Sequence, residues 1–181
     1  STTTVSAAIT DNGAGTTTIQ VINSNDGTMT ATTFSGTVVT DILTIGSSTK
    51  SGVATFTNSS GVTVNTAATI TGGNIFGTEN SIAYFYYALS GSGAVTLDDT
   101  ALGGIARIFF DQTTNATITT AIAGASAGEG QINITGTVKT FTGEIGGING
   151  ANNVAEINIS GSKTATFKNN VAATTITIGT S

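Results

Sequence analysis

An all-β fold is what this sequence predicts, and three observations lead there. Threonine makes up about a fifth of the 181 residues. Thr, Val and Ile are stiff at χ1, which suits a pleated surface and costs freedom in a helix. Glycine occurs 24 times, scattered throughout, so almost no window could hold a stable helix. Apolar and polar residues alternate in runs such as Ile157-Asn158-Ile159 and Ile176-Thr177-Ile178, the period-2 pattern of half-buried strands. With charge at 8% and hydrophobic content at 38%, the composition suits one packed domain or a stack of repeats, not a disordered segment.

Taken in order, the elements alternate between two readings. Asn12-Gly13 marks a tight turn early in the chain. "TTTIQVINSNDGTMTATTF" (16–34) then sets Asp26-Gly27 between two alternating segments, a hairpin cue that implies antiparallel pairing. "ATTFSGTVVTDILTIG" (31–46) follows, and "GVATFTNSSGVTV" (52–64) repeats its Phe-centred pattern. "SIAYFYYALSGSG" (81–93) reads as an aromatic strand. "KTFTGEIGGI" (139–148) is a looser relative, Asn149-Gly150 is another turn, and "TATFKNNVAATTITIG" (164–179) closes the series. The Phe residues of these echoes stand at 34, 56, 141 and 167, so the spacings within pairs are 22 and 26. Periods in the 20s point to coils that stack their apolar positions. A β-solenoid (parallel β-helix) is therefore the favoured architecture, with an antiparallel β-sandwich or jelly roll as the alternative.

The chain also matches itself over longer distances. Val5, Ile9, Gly15, Ile19 and Val21 align with Ile118, Ile122, Gly128, Ile132 and Ile134 at an offset of 113. Phe34, Val38, Thr44, Ile45 and Gly46 align with Phe167, Val171, Thr177, Ile178 and Gly179 at an offset of 133. This predicts a single all-β unit over 1–181 in which about 3–48 is related to about 116–181. Residues 49–115 have no counterpart and carry the aromatic strand. Phe34 and Phe167 should then hold equivalent buried positions, as should Ile45 and Ile178.

"AITDNGAGTTTIQV", "TFTGEIGGI" and "EINISGSKTATFKNNVAATTITIG" resemble the repeats of bacterial autotransporter passenger domains of the rickettsial outer-membrane protein B kind. The resemblance covers the two matched units and omits residues 70–110. It implies a β-solenoid exposed on a cell surface, with a role in adhesion or a surface coat. Surface-layer and filament subunits are the next closest in composition.

Composition limits the chemistry. There is no Cys for a disulfide or thiolate site and no His, the usual general base and transition-metal ligand. Five basic residues against ten acidic ones offer no basic patch for nucleic acid. No apolar run approaches the ~20 residues of a membrane helix. An export signal is expected to have been removed or to lie outside these residues. Among the carboxylates only Asp98 and Asp99 are adjacent, and neighbours on a strand face opposite ways. No catalytic residue is assigned, and the expectation is a protein that is not an enzyme.

Four carboxylates on Asn/Asp/Gly turns or in the adjacent pair, Asp11, Asp26, Asp98 and Asp99, are weak candidates for calcium, which prefers such hard oxygen ligands. Turn chemistry accounts for them as well. Calcium is the one cofactor left open. Sequons at Asn58, Asn115, Asn133 and Asn158 are candidate glycosylation sites in a secreted setting. The candidate interface or ligand residues are Tyr84, Phe85, Tyr86 and Tyr87, which include every Tyr of the chain. On a continuous strand they would alternate faces. They are read either as a central strand packed on both sides or as a surface that docks a partner subunit or stacks on sugar rings.

The expected function is that of a non-catalytic extracellular structural protein, adhesive or self-assembling, in a surface layer, filament or adhesin passenger. A carbohydrate-binding or hydrolysing fibre or spike domain is the alternative. The expected partner is the chain itself or a host or cell-surface glycan or protein, with no nucleic acid and no membrane span.

Overall fold

The structure, a computed structural model, describes residues 2–23, 30–73, 80–101, 103–111, 114–147 and 151–179. No helix occurs among them. The strands are β1 (Thr3–Val5), β2 (Thr18–Val21), β3 (Ala31–Phe34), β4 (Val38–Ile45), β5 (Val53–Phe56), β6 (Val62–Thr71), β7 (Ser81–Phe85), β8 (Leu89–Ser90) and β9 (Ala94–Asp98). They continue as β10 (Ala106–Phe110), β11 (Ala116–Ile118), β12 (Ile122–Gly124), β13 (Glu129–Ile134), β14 (Val138–Phe141), β15 (Val154–Ile159), β16 (Thr164–Phe167) and β17 (Ala173–Ile178).

Every ladder between these strands is parallel, and each strand pairs with strands one coil away. The fold is a β-solenoid. Its wall has three faces, followed most easily through the inward residues. On the first face the rungs run Val5, Phe34, Phe56, Phe85, Phe110, Ile134, Ile159, Ile178. On the second they run Ile9, Val38, Val62, Leu89, Ile118, Phe141, Phe167. On the third they run Ile19, Leu43, Ala68, Val95, Ile122, Ile145, Val171. The second and third faces are joined where β4 bends, at a register shift between Thr40 and Ile42. The fully buried Thr40 hydroxyl stabilises this bend, shared between the carbonyls of Thr17 (2.9 Å) and Ile42 (3.0 Å).

The rungs explain the Phe spacing. Phe34 pairs with Phe56, and Phe141 with Phe167, so the 22- and 26-residue spacings are single coils. Parallel strands lie ~4.8 Å apart, close to the distance at which offset rings stack. Phe34, Phe56 and Phe85 stack at 5.0 Å with interplanar angles of 13° and 6°. Phe110 continues the row at 6.0 Å. The row then crosses the core edge-to-face onto Phe141 (5.2 Å, 83°) and ends on Phe167.

Two expectations are corrected. Asp26-Gly27 and Asn149-Gly150 lie outside the described residues, but the segments flanking the first form no hairpin: β2 pairs with β4 and β3 with β1 and β5. Asn12-Gly13 sits in an exposed loop where Gly13 adopts φ 72° and the Asp11 Oδ1 accepts its N–H. The antiparallel alternative does not hold. Second, the matched segments do not occupy equivalent places. The offset of 113 pairs Val5 on the first face with Ile118 on the second, Ile9 with Ile122 on the third, and Ile19 with Ile132 back on the first. The offset of 133 likewise moves Phe34, Val38 and Ile45 one face onward to Phe167, Val171 and Ile178. Burial follows the place in the stack: Ile45 is 0% exposed and Ile178 is 73% exposed.

Candidate functional site

The first face turns alternate residues of each strand outward, and there the chemistry changes along the axis. One outward column reads Thr33, Thr55, Tyr84, Phe109, Asn133, Asn158, Thr177. Beside it run Ile82, Arg107, Gln131, Glu156 and Thr175. Register alone creates this arrangement, since each coil contributes one residue per column and the coils differ in sequence.

Tyr84 and Phe109 stack at 5.0 Å and 25° on the outside of the wall, both half-buried. Partial burial, reinforced by Tyr86 and Asp111 and opposed by Arg107, raises the Tyr84 hydroxyl above its ordinary 10.0, so at neutral pH it is a hydrogen-bond donor. The Arg107 Nε is buried without a hydrogen-bond partner. On the next coils the Asn158 Nδ2 donates to the Asn133 Oδ1 at 3.3 Å, and the Asn133 Nδ2 donates to the Ile108 carbonyl at 3.4 Å. A shallow depression of about 270 Å³ extends the amide ladder toward Ser160, Thr177 and Gly179. The result is an aromatic platform running into a row of amides and hydroxyls.

The remaining expected residues are distributed as follows. Phe85 is 2% exposed and belongs to the core row, so it faces no partner. The strand ends there, and Tyr86 and Tyr87 occupy the corner after β7 instead of continuing the alternation. Phe109 escaped notice in the sequence, although "ARIFF" puts two adjacent Phe on a strand and one of them must face outward.

Asp26 lies outside the described residues. Asp11 accepts from the Gly13 N–H (2.9 Å), the Thr17 hydroxyl and the Asn65 amide. Asp98 accepts from the Thr71 hydroxyl. Asp99 accepts from the N–H groups of Ala106 (2.8 Å) and Gly130 (3.0 Å), tying consecutive coils together. Among the described residues no three carboxylates converge. Of the sequons, Asn115 is exposed and Asn58 closes a turn by accepting the Ser60 N–H at 2.8 Å. Asn133 and Asn158 are strand residues engaged in the amide ladder.

Among the described residues, β16 and β17 pair with β14 and β15, and β1 and β2 with β3 and β4. Ile176 and Ile178 stand 48% and 73% exposed although they continue inward columns. None of these four terminal strands carries a charged residue. Family profiles, curated proteins and solved structures offer no match to this chain.

Proposed function

We propose that this chain is a non-catalytic structural protein of the extracellular surface, a scaffold that assembles with copies of itself in a layer or filament and adheres through its wall. The observation that carries this reading is the continuous wall of parallel rungs, whose outward column on the first face sets Tyr84 and Phe109 beside Asn133, Asn158 and Thr177. A stack of coils is a scaffold that extends by repetition and presents a long surface for contacts. The uniform Thr/Ile/Val rungs supply rigidity with no reactive group such as His or Cys. Sedimentation velocity across a hundredfold range of protein concentration tests the reading: a mass that grows with concentration supports it, and one monomeric boundary throughout removes it.

A second reading rests on Tyr84, Phe109 and the Asn133–Asn158 ladder. An aromatic platform beside planar amides has the chemistry of a glycan-binding strip, because sugar C–H faces stack on rings while hydroxyls pair with amides. Titration calorimetry with β-linked and α-linked oligosaccharides checks it, and heat that disappears in Tyr84→Ala would assign the strip to carbohydrate.

A further inference from the structure

We infer that the outward strip of the first face binds a neutral oligosaccharide that ends in one carboxylated sugar, with the carboxylate on Arg107 and the neutral rings running along the solenoid axis over the amides. This rests on the carbohydrate reading of the strip and specifies which sugars it takes.

The first argument is an unmet donor. Arg107 faces outward on β10, in register with Ile82 and Gln131, and its Nε is buried without a hydrogen-bond partner. A buried donor left without an acceptor is costly, and a charged one more so. Glu129, two residues before Gln131 on the adjacent strand, gives its carboxylate to the Ser126 N–H at 2.9 Å. Glu156 lies two rungs along the same column, about 10 Å away and beyond ion-pair reach. Arg107 is also the only basic residue in the eight strands of the first face. A carboxylate matches it best, because the planar guanidinium pairs with one bidentately. Beside it, partial burial keeps the Tyr84 hydroxyl protonated as a second donor.

The second argument is the order of residues along the columns. The column of Arg107 reads Ala31, Val53, Ile82 and then Arg107, Gln131, Glu156, Thr175. It is apolar up to Arg107 and polar from there on. In the neighbouring column the amides Asn133 and Asn158 follow Phe109. Groups that pair with sugar hydroxyls therefore lie on one side of Arg107 only, and an acid held there stands at the end of its chain. From Tyr84 to Asn158 the strip runs three steps, about 14 Å, which is room for a few linked rings.

Glu156 limits the charge the ligand can carry. A second carboxylate two rungs on would meet it, and the chain's net charge of −5 repels polyanions at longer range. A neutral sugar offers hydroxyls that donate to Glu156 instead. The strip thus selects by repulsion as well as by attraction.

Titration calorimetry with three trisaccharides tests the assignment: two neutral hexoses ending in one uronic acid, the same chain with its carboxyl reduced to the alcohol, and a chain of three uronic acids. The single-acid probe should bind about tenfold or more tighter than its reduced form, and that margin should shrink with added salt. Arg107→Gln should bring the single-acid probe down to the affinity of the reduced one while leaving the reduced probe unchanged. Arg107→Lys should restore only part of the margin, because an ammonium lacks the planar fork. The three-acid chain should bind more weakly than the single-acid probe and should gain affinity in Glu156→Gln. Equal binding of the single-acid and reduced probes, lost for both in Tyr84→Ala, leaves the glycan strip in place and overturns the acid end. A margin that persists in Arg107→Gln overturns the role of Arg107. No heat with any probe, in protein that shows the parental dichroism spectrum, overturns both this inference and the carbohydrate reading.

Discussion

Phe85→Ala and Phe167→Ala form the sharpest pair of core substitutions. Phe85 is 2% exposed and lies between Phe56 at 5.0 Å and Phe110 at 6.0 Å. Truncation removes a fully buried ring from mid-column, where the coils above and below cannot collapse without breaking register. The cost should be about 4–5 kcal/mol, the upper part of the range for buried Phe. Phe167 stacks on Phe141 alone, at 5.1 Å, and is half-buried on the terminal strand β16. Its truncation leaves no enclosed cavity, and about 1–2 kcal/mol follows from the apolar area lost. Urea denaturation followed by dichroism reads the difference. With a slope of ~2 kcal/mol per molar, the Phe85 variant should lose about 2 M in midpoint and the Phe167 variant less than about 1 M. Because solenoid stability sums over neighbouring coils, the Phe85 variant should also unfold less cooperatively. Equal midpoints for the two variants would refute the contrast in packing between the enclosed Phe85 and the half-buried Phe167.

Other substitutions test other joints. Asp99→Ala removes the acceptor for the Ala106 and Gly130 N–H groups and should cost about 2–3 kcal/mol in the same titration. At Gly46, φ is +77° and a Cβ would meet the Ser81 Oγ and the Thr71 carbonyl, so Gly46→Ala should destabilise by on the order of 2–3 kcal/mol. Lys139 is 0% exposed and donates to the Thr114 carbonyl at 3.0 Å; burial, opposed by Asp111, lowers its pKa from the ordinary 10.5. The unfolded chain therefore holds this proton more tightly. The penalty is complete below the folded value and fades as pH rises toward 10.5. Relative to Lys139→Met, the parent protein should gain stability across that alkaline window, and parallel pH curves would contradict the assignment.

The coil was legible because register converts sequence spacing into contact: Phe34 and Phe56 repeat after one coil and stack directly. Which face a segment occupies was not legible. All three faces use the same alternation of Thr with Ile, Val or Phe, so "TATFKNNVAATTITIG" matches a segment that begins one face earlier. Asp26-Gly27 looked like a hairpin because turn chemistry is local, whereas parallel pairing is decided a coil away. Lys139 defied the pattern for a related reason. It sits at an inward position of β14, beside Phe141 in the alternation, and reaches the Thr114 carbonyl. Of the outward strip, Tyr84 could be read and its partner Phe109 could not, since their pairing is a property of the stack alone.

Cryo-electron microscopy of the concentrated protein tests the central claim most directly. The account predicts assemblies built from solenoid rods in which the layer spacing of ~4.8 Å between parallel coils is visible within each subunit. Single isolated rods at every concentration, or density without that spacing, would contradict it.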